Sequence, residues 1–109
     1  GYSADESLTP AELIAEKYRG IRPAPGYPAC PDHTVKGAMF EALNCADIGM
    51  ALTESWAMSP AASVSGFYIA HPDATYFNVG KVGEDQIEDW ARRTAQDAAQ
   101  VRRSLAALL

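Results

Sequence analysis

The sequence predicts an α+β domain, and three observations predict it. Capped helical patterns stand at both ends of the chain. Two β-rich segments, Ser63–Ile69 and Tyr76–Val82, lie in the second half and are separated by the turn-forming His71-Pro-Asp-Ala-Thr75. Between the first two helices runs a stiff connector, Arg22-Pro-Ala-Pro-Gly-Tyr-Pro-Ala-Cys-Pro-Asp-His33, in which four of twelve residues are proline. The expected order is α-α-β-β-β-α-α. Short antiparallel strands, including a hairpin, would pack with about four helices in one domain.

Taken in order, residues 1–7 are polar and are expected to pack loosely. Thr9 is an N-cap, Pro10 occupies the first helical position and Glu12 completes a capping box. Leu8 and Leu13 suit a hydrophobic staple. This helix should run to Arg19 and stop at Gly20. Proline fixes its own φ and pushes the preceding residue toward extended geometry, so the connector cannot be helix or central strand. It should be a rigid loop presenting Arg22, Tyr27, Cys30 and His33. Asp32 then caps a second helix with Val35, Met39, Phe40 and Leu43 on its buried face, ending near Asn44. Gly37 weakens that helix by about 1 kcal/mol relative to Ala. Ala46–Met50 reads as a turn or a short helical piece, and Leu52–Trp56 as a short strand broken by Met58-Ser-Pro-Ala. Ser63–Ile69 and Tyr76–Val82 form an antiparallel hairpin. Glu84 to Arg93 is a helix with acids first and bases last, paired as Glu88–Arg92 and Asp89–Arg93, with Ile87, Trp90 and Ala91 inward. Asp97 caps a last helix whose inner side carries Ala98, Val101, Leu105 and Leu108.

The chain has 109 residues, 48% apolar, and a net charge of −5. That is enough apolar content for a core. The acidic balance and the lack of a basic stripe argue against nucleic acid as a partner. No apolar run approaches the ~18 residues of a membrane span. No signal peptide is expected, and with Gly1 in place of an initiator Met the chain is expected to be processed, tagged or cut from something longer. Cys30 and Cys45, 15 residues apart, are too few for a secreted disulfide scaffold. A reducing, cytoplasmic setting with free thiols is expected, and a Cys30–Cys45 disulfide is the alternative.

Several groupings could carry chemistry. Cys30-Pro-Asp-His33 is half of a zinc site, and its second pair of ligands is missing apart from His71 and Asp73. Cys30, just ahead of a helix N-terminus and near a histidine, is a candidate nucleophile without an evident orienting group. His71 and Asp73 fit a polar turn better than a catalytic pair. Gly80-Lys-Val-Gly83 lacks the pattern of a phosphate loop. Arg22, Tyr27 and Tyr76 are more informative. An arginine holds a carboxylate in two-pronged fashion, and aromatic faces accommodate a cation such as a sulfonium. Backbone groups between prolines, as at Ala24, can meet an adenine edge. Together they suit a zwitterionic, cationic nucleoside.

The stretch Tyr18-Arg-Gly-Ile-Arg-Pro-Ala-Pro-Gly-Tyr-Pro-Ala-Cys-Pro-Asp-His-Thr34 resembles the C-terminal activation domain of cobalamin-dependent methionine synthase. So do Leu52-Thr-Glu-Ser, Ala62-Ser-Val-Ser-Gly, His71-Pro-Asp, Tyr76-Phe and Gly83-Glu-Asp-Gln-Ile-Glu-Asp-Trp-Ala-Arg-Arg93. The resemblance runs in order from Gly1 to Leu109 and implies the family's α+β fold. It also implies a function. The family moves a methyl group from methyltetrahydrofolate to homocysteine through cobalamin, and the cobalt occasionally oxidises to inactive cob(II)alamin. The activation domain then binds S-adenosylmethionine, flavodoxin or a flavoprotein reductase supplies an electron, and the sulfonium methyl restores methylcobalamin. By the motif, Arg22 holds the methionine carboxylate, Ala24 offers backbone contacts, Tyr27 lines the pocket, and Tyr76 and Phe77 contact the ligand. No residue is implied as catalytic in its own right, and Cys30 and His33 gain no role.

The resemblance further implies that residues 1–109 are a truncated, C-terminal part of the activation domain. Cobalamin would be bound by another domain of the full enzyme, a partner of this one. Zinc would belong to a homocysteine domain outside this sequence, and the acidic residues that meet the ligand's ammonium group to an N-terminal part of the activation domain, also outside it. The isolated chain is then expected not to catalyse methionine synthesis, and its uncovered apolar surface to favour self-association. A non-enzymatic adaptor acting in trans on a corrinoid protein or flavodoxin, and a small Cys30-dependent enzyme, are the alternatives. The sequence departs from the family at Trp56 (Phe in the family), Ser59 (Trp) and Ala95 (a helix-ending Gly). The first two put local packing in question. The third suggests that the last two helices join smoothly.

Overall fold

A computed structural model describes residues 4–109. Loose packing of residues 1–7 is expected from the sequence, and residues 1–3 lie outside the described part. Glu6 does not fit that expectation, because its side chain is 10% exposed and faces Arg22.

Helix α1 spans Pro10–Ile14. The capping box forms: Glu12 N–H donates to Thr9 Oγ1 at 3.2 Å, and Thr9 N–H donates to the Glu12 carboxylate at 2.7 Å. These bonds, the backbone one foremost, hold the Glu12 carboxyl below its ordinary range. The helix stops well short of Arg19. Glu16 turns left-handed at φ +59°, Glu16 N–H donates to Leu13 O and Lys17 N–H to Glu12 O. That is a Schellman ending with glutamate at the position glycine usually fills.

Helix α2 spans Val35–Ala42, and Thr34, not Asp32, is its cap residue. Asp32 is nonetheless engaged, as described below. The predicted apolar face is only partly inward: Leu43 is 69% exposed, and the fully buried residue of α2 is Lys36. Lys36 Nζ donates to the Trp56 carbonyl at 2.5 Å. A short 3-10 turn, Cys45–Ile48, leads to strands β1 (Ala51–Leu52) and β2 (Met58–Ser59). These pair antiparallel as Ala51↔Ser59 and Leu52↔Met58. The predicted strand Leu52–Trp56 is therefore mostly the turn of this hairpin, closed by Thr53 N–H to Ala57 O with Trp56 left-handed. A Cβ on Gly37 would stand 3.1 Å from the Trp56 ring. The glycine that weakens α2 thus makes room for the Trp56 ring.

The α+β class with a short antiparallel hairpin holds, but the hairpin is not where the β-rich residues placed it. Residues 63–69 do not pair with 76–82. Instead Ile69 exchanges both backbone hydrogen bonds with Ile21, and Phe67 N–H donates to Pro23 O at 2.9 Å. Pro23 and Pro25 have no N–H to donate, so this ladder cannot lengthen into a regular strand pair. The extended segment 76–82 is held at its far end by Val82 N–H donating to Leu108 O at 2.9 Å.

Helices α3 (Glu84–Thr94) and α4 (Ala98–Ser104) pack as a pair. Ile87, Ala91, Val101 and Leu105 form the buried cluster, with Val82, Ala98 and Leu108 against it. Ile87 and Val101 are the largest fully buried side chains, each contributing roughly 1.5–3 kcal/mol by burial. Arg93 pairs with Asp89 at 2.7 Å as expected, whereas Arg92 pairs with Asp89 rather than Glu88. Arg102 of α4 meets Glu84 of α3. The two helices do not merge: Ala95 adopts the left-handed cap itself, at φ +53°. Because alanine pays for that conformation and glycine does not, Ala95→Gly should raise stability by about 1 kcal/mol in urea melts. Among the described residues no helix is long and apolar enough to cross a membrane.

Candidate functional site

The Pro-rich connector folds into a tight double turn. Tyr27 N–H donates to Ala24 O at 3.2 Å, Gly26 N–H to Cys30 O at 2.8 Å and Cys30 N–H to Tyr27 O at 2.9 Å. Gly26 makes this possible: its φ is +98°, and a Cβ there would lie 2.1 Å from the His33 ring. His33, which sequence reasoning left between a polar contact and half a metal site, covers this turn. Pro23 and Pro25 are buried, so the loop is anchored on one side and presents the other.

The loop, Pro23 and Pro25 included, lines a cavity of about 720 Å³. Arg22, Ala24, Tyr27, Tyr76 and Phe77, the five candidate binding residues, all line it. Tyr27 and Phe77 are 65% and 56% exposed, so they form a rim. Arg22 is at the covered end. Its guanidinium contacts two aromatic rings, with Cζ 4.1 Å from the Tyr18 centroid and 4.5 Å from that of Tyr68. One terminal nitrogen stands 3.6 Å from Glu6, and Nε is buried without a hydrogen-bond partner among the described residues. A guanidinium lining a cavity is a group that can hold a carboxylate in two-pronged fashion.

Sequence reasoning missed two kinds of residue here. Glu16 lines the cavity as an acidic group, although the acids for a ligand's ammonium end were expected to lie outside this chain. Its placement depends on a left-handed glutamate, which no spacing rule announces. Tyr18 and Tyr68, the rings in contact with the Arg22 guanidinium, lay within or near the quoted motifs without a role. Tyr18 Oη is 2.5 Å from Tyr76 Oη, and the Arg22 backbone N–H donates to the same Tyr76 oxygen at 2.9 Å.

Burial above all, and then the bond to Tyr76, push the Tyr18 phenol up to about 12. A tyrosine whose folded pKa exceeds its unfolded value stabilises fully below the unfolded pKa and loses that contribution as pH rises through the folded one. Stability should therefore fall between pH 10 and pH 12, and Tyr18→Phe should flatten that slope in urea melts taken across the range.

The remaining candidates do not assemble into reactive sites. Cys30 and Cys45 are both free. Burial and then the Asp32 charge push the Cys30 thiol up, the opposite of what a nucleophile needs. His71 Nδ1 accepts from Asp73 N–H at 3.1 Å within an exposed turn. Among the described residues no group of three or more candidate ligands could hold a metal ion.

The fold presents a cleft with an arginine at its covered end and aromatic rings at its rim. Comparison with known proteins makes this specific: the model of the vitamin B12 dependent methionine synthase activation domain matches residues 1–95, and the chain belongs to that family. A crystal structure of the MetH reactivation domain bound to AdoHcy is 53% identical, with a TM-score of 0.93. The match covers 100% of this chain and 34% of the other, so this chain spans about a third of that neighbour's length.

Proposed function

We propose that the chain binds S-adenosylmethionine as the reactivation module of a cobalamin-dependent methionine synthase, a methyltransferase of methionine biosynthesis. One observation carries this reading. The five motif residues converge on one cavity in a fold that superposes along its whole length on a domain bound to AdoHcy. The donor set fits the ligand. Arg22 pairs the carboxylate, Ala24 supplies backbone contacts, and Tyr27, Tyr76 and Phe77 enclose the nucleoside and sulfonium. Glu16 supplies the negative charge that a cationic ligand needs.

In this reading the domain binds and orients, holding the ligand's methyl outward at the exposed aromatic rim. Cobalamin, carried by another domain of the same enzyme, supplies the metal that accepts the methyl group. Flavodoxin or a flavoprotein reductase is the electron donor. The isolated chain is not catalytic. Its exposed Ile14, Ile48 and Val64 suit contacts with the rest of the enzyme, or self-association in its absence.

Calorimetric titration of S-adenosylmethionine tests the reading. Saturable binding is expected, weakened at least about tenfold by Arg22→Ala, since a charge-assisted bond contributes about 1.5–3 kcal/mol. Binding that Arg22→Ala leaves unchanged would place the carboxylate elsewhere.

A further inference from the structure

Arg22 is fixed by a circuit that the Pro-rich loop does not provide. Its backbone N–H donates to Tyr76 Oη, that oxygen meets Tyr18 Oη, and the Tyr18 ring returns to cover one face of the Arg22 guanidinium. Tyr68 adds a second ring contact, its centroid 4.5 Å from Arg22 Cζ, and one terminal nitrogen faces Glu6 at 3.6 Å. A planar, rigid fork is useful to a carboxylate only if its plane is held, and stacking holds it. Tyr18 itself is not among the cavity-lining residues, so its influence on a ligand must pass through Arg22 and Tyr76.

We propose that Tyr18 is a positioning residue for carboxylate recognition: it sets the plane of the Arg22 guanidinium by stacking and ties Arg22 to Tyr76 through its hydroxyl. The proposal deepens the functional reading above and rests on it. It makes Tyr18 specific for one part of the ligand. Removing the ring should weaken ligands that carry the amino-acid carboxylate and spare those that lack it. A general loosening of the fold would weaken both.

The test compares S-adenosylhomocysteine with methylthioadenosine, the same thioether nucleoside without the amino-acid end. Each is titrated into wild type, Tyr18→Phe, Tyr18→Leu and Arg22→Ala, with circular dichroism and thermal melts as controls for folding. Tyr18→Leu should weaken S-adenosylhomocysteine by about tenfold, as expected for losing a desolvated cation–π contact, and leave methylthioadenosine unchanged. Tyr18→Phe keeps the ring and should show a smaller loss with the same selectivity. It carries the test alone if Tyr18→Leu fails to fold. Equal weakening of both ligands, or no weakening of S-adenosylhomocysteine where Arg22→Ala does weaken it, overturns the proposal and leaves the functional reading standing. Failure of wild type to bind either ligand overturns the functional reading, and the role of Tyr18 with it.

Discussion

Gly26→Ala should destabilise the chain by about 2–3 kcal/mol and cost at least about tenfold in S-adenosylmethionine affinity. Two separate penalties combine. The φ of +98° is outside the region an L-residue adopts without strain, and the new methyl would meet His33 Cε1 at 2.1 Å and Nε2 at 2.6 Å. The His33 ring is exposed and can swing away, so the second penalty is the smaller. The backbone penalty has no such escape. Relaxing φ would break Gly26 N–H to Cys30 O, the bond that closes the double turn, and move Tyr27 off the cavity wall. A double-mutant cycle separates the terms. In a His33→Ala background, Gly26→Ala should still cost about 1–2 kcal/mol, the backbone share alone. A cycle in which His33→Ala restores full stability would show that φ is not the constraint.

The parts of the fold written in local chemistry were legible in the sequence. Thr9 and Glu12 form their capping box, Asp97 caps α4 through Ala99 N–H, and the α3/α4 cluster contains the predicted Ile87, Ala91, Val101 and Leu105. What failed depended on residues adopting conformations their type disfavours. Glu16 and Ala95 both turn left-handed, the first ending α1 early and the second separating α3 from α4. The misplaced hairpin has a different origin. Residues 63–69 and 76–82 have the composition of strands, but composition does not name a partner. Residues 67–69 found backbone groups at Ile21 and Pro23 instead, in the one segment whose prolines prevent a full ladder.

The site was legible to a similar degree. The rigidity of the Pro-rich loop and the types of Arg22, Tyr27 and Tyr76 pointed to a carboxylate and a cation, and the cavity collects them. Its supporting layer was not legible, because it is made by contacts between distant residues. Tyr18 and Tyr76 are 58 residues apart, and so are Asp32 and Trp90. Lys36 shows the same limit from the opposite side. A lysine on a helix ordinarily reads as solvated, yet here it is 5% exposed and secures the β1–β2 turn through Trp56.

Asp32 joins the end of the Pro-rich loop to the helical core, and removing it should have the second large effect. One carboxylate oxygen accepts from Thr34 N–H at 2.8 Å and from Thr34 Oγ1 at 2.7 Å, while the other accepts from Trp90 Nε1 at 2.8 Å. An indole N–H can only donate, so Trp90 has no alternative use for that edge. Asp32→Ala should cost about 3–4 kcal/mol, because hydrogen bonds to a charged group contribute about 1.5–3 kcal/mol each and the donors left behind are part-buried. Asp32→Asn should cost less, about 1–2 kcal/mol, since its amide keeps one acceptor but turns an N–H toward either Trp90 or Thr34. Trp90→Phe removes the donor while keeping most of the ring, so its effect should fall well short of additive with Asp32→Ala. Urea unfolding followed by tryptophan fluorescence and by circular dichroism reads the three single variants and the Asp32→Ala/Trp90→Phe double. Asp32 is not among the residues lining the cavity, yet it fixes the loop end beyond Cys30. Asp32→Ala should therefore also weaken S-adenosylmethionine binding through a less ordered loop. Full stability in Asp32→Ala would mean that the loop is held by its prolines and turn bonds alone, and that α3 contributes nothing to the site.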